Sequence, residues 1–189
     1  SEDPLEDVAA QLGDTPGFFQ LYTPADRDLA ASFVYRAEAA GFKGIVVTLD
    51  TQVLGWRPRD LTLASFPQLK GKCLANYFSD PLFRAKLPQS PEDDPRAAAI
   101  QWALGFSNPE LSWDDLEFLR AETELPILLK GILHPDDARK AGEHGIDGIV
   151  VSNHGGRQID GEIAALDALP AGVDAGGAWL FSTSDTADA

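Results

Sequence analysis

The chain has 189 residues, a formal net charge of -15 and a hydrophobic fraction of 44%. This composition predicts a folded core in one domain, and the acidity argues against a surface that binds nucleic acid or anionic membranes. A single cysteine, Cys73, excludes an internal disulfide and a cysteine-rich metal site, so we expect no metal and a reducing, cytoplasmic location. No apolar run reaches the roughly 18 residues of a membrane span, and the acidic start has no leader pattern.

The first part of the chain alternates short apolar runs with a helical pattern. Residues 1–16 are polar and show no clear periodicity, and residues 17–22 predict a short buried strand. A helix follows, with Pro24 suited to its start and Gly41 just past its end. Residues 44–50 form a continuous apolar run, which is typical of a strand covered on both faces.

The same order returns after residue 111. The predicted helices are residues 112–122, 134–145 and 161–170, and the predicted strands are residues 125–130, 147–152 and 177–181. Ser112 and Asp115 form a capping-box pattern at the first of these helices. Alternating strands and helices indicate a parallel α/β sheet with right-handed crossovers.

One segment, at about residues 61–111, interrupts this alternation. An interval of about 50 residues is too long for an ordinary connection between a strand and the next element. It contains a predicted helix near residues 96–104. We therefore expect an insertion of loops and helices within a single domain that covers residues 1–189.

Polar side chains follow each of four successive predicted strands. They are Gln20 and Tyr22 after the first strand, Thr48 and Asp50 after the second, Lys130 after the third, and Asn153, His154 and Arg157 after the fourth. The carboxyl ends of parallel strands meet on one face, which carries the site in such proteins. Each residue alone has an ordinary structural explanation, and for Tyr22 taken alone a structural role is the favoured one. Their coincidence on four strands favours a functional site.

These residue types suit a narrow range of chemistry. His154 can accept a proton near neutral pH, and a neighbouring carboxylate would stabilise the imidazolium. Arg157 can bind a carboxylate through two hydrogen bonds, and Lys130 can stabilise negative charge that develops on a ring system. The set predicts proton abstraction from a small hydroxy acid, with an electron acceptor that the protein must bind.

Four motifs resemble the FMN-dependent α-hydroxy-acid oxidases and dehydrogenases over about residues 15–170. They are SNHGGRQ at 152–158, TLDTQVLGWRPRD at 48–60, FFQLY at 18–22 and LLKGI at 128–132. The resemblance implies FMN as cofactor and part of a TIM (β/α)8 barrel. It also implies homo-oligomers. The inserted segment looks most like the lactate 2-monooxygenase subfamily, which implies L-lactate as substrate and dioxygen as electron acceptor.

The resemblance also implies a role for each matching residue. His154 would be the base that removes a proton from the substrate, and Asp50 would pair with it. Arg157, Arg57 and Tyr22 would bind the substrate, with Tyr22 close to the reacting groups.

The cofactor would contact a second group of residues. Gln20 and Thr48 would contact the pyrimidine edge of FMN, and Lys130 would face its N1 and O2 atoms.

The chain departs from the family at both ends. A full barrel has eight strands and about 250 residues, whereas about five strands are recognisable here. The phosphate-binding arginines expected after Arg157 are absent, and residues 182–189 read STSDTADA. With no Met at position 1, we expect a truncated or excised piece of a longer chain. The alternatives are a non-catalytic barrel fragment that acts only in assembly, and an FMN isomerase or phosphate-binding synthase.

Overall fold

The computed structural model describes residues 1–64, 66–106, 108–176 and 180–182, and these contain a five-stranded parallel sheet. The strands are β1 (Phe19–Leu21), β2 (Ile45–Thr48), β3 (Ile127–Lys130), β4 (Gly148–Val151) and β5 (Leu180–Ser182). The last strand overlaps the one predicted at 177–181, of which residues 177–179 lie outside the described residues. Residues 183–189 also lie outside them.

The order of the strands identifies the kind of sheet. Each strand pairs in parallel with the next strand along the chain, so the spatial order is β1-β2-β3-β4-β5. A doubly wound sheet reverses its order at a switch point, whereas a barrel does not. Crossovers between parallel neighbours are almost always right-handed, and with this strand order they return on the same face of the sheet. This is the parallel, partial-barrel architecture predicted from the sequence.

One helix precedes the first strand, and the others either cross between neighbouring strands or lie in the long β2–β3 connection. In chain order they are α1 (Leu5–Leu12), α2 (Arg27–Ala39), α3 (Pro58–Thr62), α4 (Ala75–Phe78), α5 (Pro81–Arg84), α6 (Pro95–Gly105), α7 (Asp115–Ala121), α8 (Pro135–Glu143) and α9 (Ala165–Gly176). Helices α3 to α7 lie between β2 and β3. Two 3-10 helices, Pro67–Lys70 and His154–Gly156, complete the described elements.

The core lies between the sheet and its helices. Strands β3 and β4 are buried along their whole length, which explains why their sequences are continuous apolar runs. Helix α2 presents Leu29, Phe33 and Val34 to this core. Asp115 accepts hydrogen bonds from the N–H and the hydroxyl of Ser112 at 2.8 and 3.2 Å, which is half of the predicted capping box, and the helix predicted from residue 112 begins at Asp115.

The sequence analysis missed one helix and misplaced another. Residues 1–16 contain α1, a short helix that the sequence did not signal because tertiary contacts hold it: the Leu5 N–H donates to Asn76 Oδ1 at 2.8 Å. The helix predicted at 161–170 is α9, which begins later and continues past Pro170. Gly161 has a left-handed φ of 78° and belongs to the preceding turn, which delays the start of the helix.

Within the parts of the chain that the structure describes, no helix is both long enough and apolar enough to cross a membrane.

Candidate active site

The predicted site residues converge at the carboxyl ends of β1 to β4. Thr48 ends β2 and Lys130 ends β3, and the two are Cα partners in the sheet register. Both are buried, at 3% and 8% exposure. The backbone thus brings a hydroxyl and an ammonium group side by side at one edge, as the alternation of strands and helices predicted.

An aspartate–histidine pair lies at this edge. Asp50 Oδ1 is 2.8 Å from His154 Nδ1, and the two side chains are only 12% and 16% exposed. A carboxylate at Nδ1 fixes the ring and stabilises the imidazolium, and it leaves Nε2 as the nitrogen available for proton transfer. Lys130 Nζ lies 3.9 Å from the other carboxylate oxygen of Asp50. The Asp50 carboxylate therefore lies next to both the lysine that ends β3 and the histidine that follows β4.

The backbone that carries the histidine is unusual. His154, Gly155 and Gly156 have successive positive φ values of 58°, 63° and 67°. The left-handed region is easy for glycine but costs a residue such as histidine of order 1–3 kcal/mol. Two side chains stabilise the turn: the His154 N–H donates to Ser152 Oγ at 3.0 Å, and Asn153 Oδ1 accepts from the Gly156 N–H at 3.2 Å. The sequence HGG is thus explained by a tight turn that aims the imidazole at Asp50.

A glycine after β3 allows Asp50 to pack closely. Gly131 has a φ of 107°, and a Cβ atom placed on it would lie 2.8 Å from Asp50 Cβ. Any side chain here would displace the aspartate from His154. The LLKG motif therefore supplies Lys130 and, through Gly131, the room that Asp50 needs to reach His154.

The polar groups that follow β1 are linked to those of β2. Gln20 Nε2 donates to Thr48 Oγ1 at 2.8 Å and to Tyr22 Oη at 3.2 Å. An amide, a hydroxyl and the nearby ammonium of Lys130 provide the donor and acceptor types that the pyrimidine edge of a flavin requires. The residues present therefore fit the flavin ring.

The two arginines lie on neighbouring loops. Arg57 Nη2 donates to Gln158 Oε1 at 2.7 Å, and Arg157 Nη2 lies 3.0 Å from Asp60 Oδ2. Burial first, and then the positive charge of Arg157, lower the pKa of the Arg57 guanidinium. A guanidinium group whose charged form is disfavoured by a neighbouring positive charge gains from a bound anion.

A cavity of about 960 Å³ joins the histidine and the arginines. His154, Tyr22, Arg57, Arg157 and Asp60 all contribute to its wall. The cavity also extends to side chains of α1 and of the β2–β3 connection, so the site occupies only part of this volume. Proton transfer and carboxylate binding can thus occur in one space.

Three contacts of the site were not foreseen from the sequence. The hydrogen bond from Arg157 to Asp60 and the one from Arg57 to Gln158 each join segments about 100 positions apart in the sequence. The ring of Phe106 packs against that of Tyr22, with centroids 5.8 Å apart. Asp60 and Gln158 do lie inside the recognised motifs, but a motif does not indicate which of its residues meet.

Comparison with known proteins supports a common origin. A family model described as FMN-dependent dehydrogenase matches residues 1–180. The L-lactate oxidase of Lysinibacillus sphaericus is 47% identical over 172 residues, covering 90% of this chain and 44% of that protein. The FMN-dependent alpha-hydroxy acid dehydrogenase qulF of Penicillium citrinum is 48% identical over 180 residues, covering 94% and 45%.

The solved structure of mandelate oxidase is also similar. It matches with a TM-score of 0.77 and 36% identity, over 98% of this chain and 48% of that chain. The chain therefore spans about half the length of the relatives it matches. Since the family model covers nearly all of its residues, the chain belongs to the FMN-dependent dehydrogenase family.

Proposed function

We propose that this chain contributes the catalytic face of an FMN-dependent oxidase of small L-2-hydroxy acids, with L-lactate as the substrate. The observation that carries the proposal is the pair of Asp50 and His154 at the carboxyl ends of parallel strands, whose histidine lines the same cavity as Arg157. That arrangement combines a base with a group that binds a carboxylate, and a 2-hydroxy acid requires both.

Three residues would hold the flavin. Gln20 and Thr48 would contact its pyrimidine edge, and the ammonium of Lys130 would stabilise negative charge on the ring. When bound, FMN supplies an acceptor for the electron pair that leaves the substrate.

The remaining residues would act on the substrate. Arg157 and Arg57 bind its carboxylate, and Tyr22 donates a hydrogen bond to it. His154 takes a proton at Nε2, and Asp50 stabilises the imidazolium that results. Lys130 lies 3.9 Å from the same carboxylate, so Asp50 faces the positive charge of the lysine as well as the one that forms on His154.

The choice of substrate and acceptor is part of the proposal. A relative named L-lactate oxidase and a structural neighbour named mandelate oxidase differ in the acid they are named for. The resemblance of the β2–β3 connection to lactate 2-monooxygenase favours L-lactate. It also favours dioxygen as acceptor. We further propose a homo-oligomer and, from the single cysteine, a cytoplasmic location.

A second candidate is a non-catalytic fragment that acts only in assembly. It is favoured because this chain covers only 44% of the length of the L-lactate oxidase and 48% of that of mandelate oxidase. On this alternative the polar residues persist without binding flavin.

Flavin retention separates the two candidates. The chain is incubated with FMN and desalted, and its visible spectrum is recorded before and after anaerobic addition of L-lactate. We expect retained flavin that L-lactate bleaches. A spectrum without flavin bands would contradict the proposal and favour the fragment.

Substitution of the base tests its role. His154→Ala should keep the flavin and slow bleaching by about 10²- to 10⁴-fold, which is the usual contribution of a general base. His144→Ala is the control, because His144 ends α8 and stacks on Trp113 instead of facing the site. Equal bleaching rates in the two variants would refute the assignment of His154.

A further inference from the structure

Two loops of the candidate site are locked together by side chains. The Gln158 amide donates to the Val53 carbonyl at 2.8 Å and accepts from the Gly55 N–H and from Arg57. Arg57 Nε also donates to the Arg157 carbonyl at 3.3 Å. These bonds fix Arg57 and the backbone of Arg157.

The side chain of Arg157 is held differently. Its one recorded hydrogen bond in the described structure is to Asp60, at the start of α3, with Nη2 3.0 Å from Oδ2. Both groups line the cavity that contains His154. Asp60 thus places a carboxylate on the Arg157 guanidinium, in the cavity that the proposed base also lines.

We propose that Asp60 is an internal carboxylate ligand of Arg157, which the carboxylate of the substrate must displace. This inference rests on the proposed function, in which Arg157 binds that carboxylate. The two carboxylates have the same charge and the same acceptor atoms, so they compete for one guanidinium. Asp60 therefore limits the affinity of the site and selects for ligands that carry a carboxylate.

The exposure of the pair makes displacement feasible. The side chains of Arg157 and Asp60 are 43% and 28% exposed, and ion pairs that reach solvent to this extent are weak. A buried pair would resist exchange, and the pair of Arg36 and Asp80, in which Asp80 is fully buried, is of that kind. Arg57 lies nearby and keeps the local potential positive when Asp60 withdraws.

The test measures binding of L-lactate to the flavin-free chain, in which no turnover occurs. Nuclear magnetic resonance titration at low salt gives the dissociation constants of the wild type, Asp60→Asn and Asp60→Glu. We expect Asp60→Asn to bind L-lactate roughly two- to fivefold more tightly, because it removes a weak competing ion pair. Asp60→Glu, which keeps the charge, should not gain affinity.

Two controls test whether the gain in affinity comes from Arg157. Asp7→Asn removes the same charge from the first turn of α1 and should leave the affinity unchanged. Lactamide, which is neutral, should bind Asp60→Asn and the wild type equally. Circular dichroism checks that each variant is folded, and Asp60→Ser replaces Asp60→Asn if that variant does not fold.

The outcomes separate this inference from the proposed function. Equal L-lactate affinities in the wild type and Asp60→Asn, an equal gain for lactamide, or no L-lactate binding to either would overturn the role of Asp60. A chain that retains no FMN but gains affinity on Asp60→Asn would keep this inference and lose the proposed oxidation.

Discussion

At the scale of single residues, Glu162 connects the candidate site to stability. Burial first, and then the charge of Asp50, raise the pKa of Glu162 above its ordinary value of 4.5. The folded state therefore favours the protonated form, so the stability from this group is present below the unfolded value and is lost as pH rises through the folded pKa. Glu162→Gln cannot ionise, and it should raise the free energy of unfolding at about pH 7 by up to about 0.5 kcal/mol.

Urea denaturation at two pH values measures this effect. At about pH 3, Glu162 is protonated in both the folded and the unfolded state, so Glu162→Gln and the wild type should unfold at the same urea concentration. Glu143→Gln, at an exposed position at the end of α8, provides the matched control. A gain that is the same at both pH values would show that packing, not charge, is responsible.

Sequence reasoning predicted which residues gather at the candidate site better than it predicted their contacts. Asp50, Lys130 and His154 could be predicted because parallel strands bring their carboxyl ends together. The contacts of Asp60 and Glu162 could not, since they depend on how loops approach one another in space. No periodicity or motif spacing encodes that approach.

At the scale of elements, one buried carboxylate joins α2 to the β2–β3 connection. Asp80 is fully buried, and it accepts hydrogen bonds from Ser32 Oγ at 2.7 Å and Arg36 Nη1 at 3.0 Å. Its other oxygen caps α5 through the Leu82 and Phe83 N–H groups. Asp80→Ala leaves Arg36 without this partner and should lower the free energy of unfolding by about 3–5 kcal/mol.

Urea denaturation of the variants tests this prediction. Asp80→Asn keeps an oxygen for the cap and should be less destabilised than Asp80→Ala. Glu92→Gln, which breaks the exposed pair with Arg84, should leave the urea midpoint unchanged. A wild-type midpoint for Asp80→Ala would mean that water replaces the carboxylate.

The same contacts explain why α1 was missed from the sequence. Glu6 of α1 pairs with Arg36 at 2.7 Å, and Leu5 is buried in the core. A short helix gains most of its stability from such packing, not from propensity, so its sequence carries little signal. In contrast, α2 has a capping aspartate, Asp26, and a clear apolar face, and its existence and its end were predicted; it begins at Arg27, later than the start at Pro24 that the sequence suggested.

At the scale of the whole molecule, the described sheet leaves β1 and β5 with one neighbour each. An open strand edge beside apolar side chains is a template for pairing with another chain. Phe18, immediately before β1, is 51% exposed. The net charge of -15 opposes association through repulsion between molecules, and salt screens that repulsion.

We therefore expect the mass measured by light scattering to rise with protein concentration and to rise further with salt. Phe18→Lys adds a charge at the β1 edge and removes apolar area, and it should weaken association by about fivefold. Tyr35→Lys changes an aromatic residue on α2 that is 71% exposed, and it controls for the added charge alone. A constant monomer mass in high salt would mean that the β1 edge is already protected, and equal effects of both variants would place the contact elsewhere.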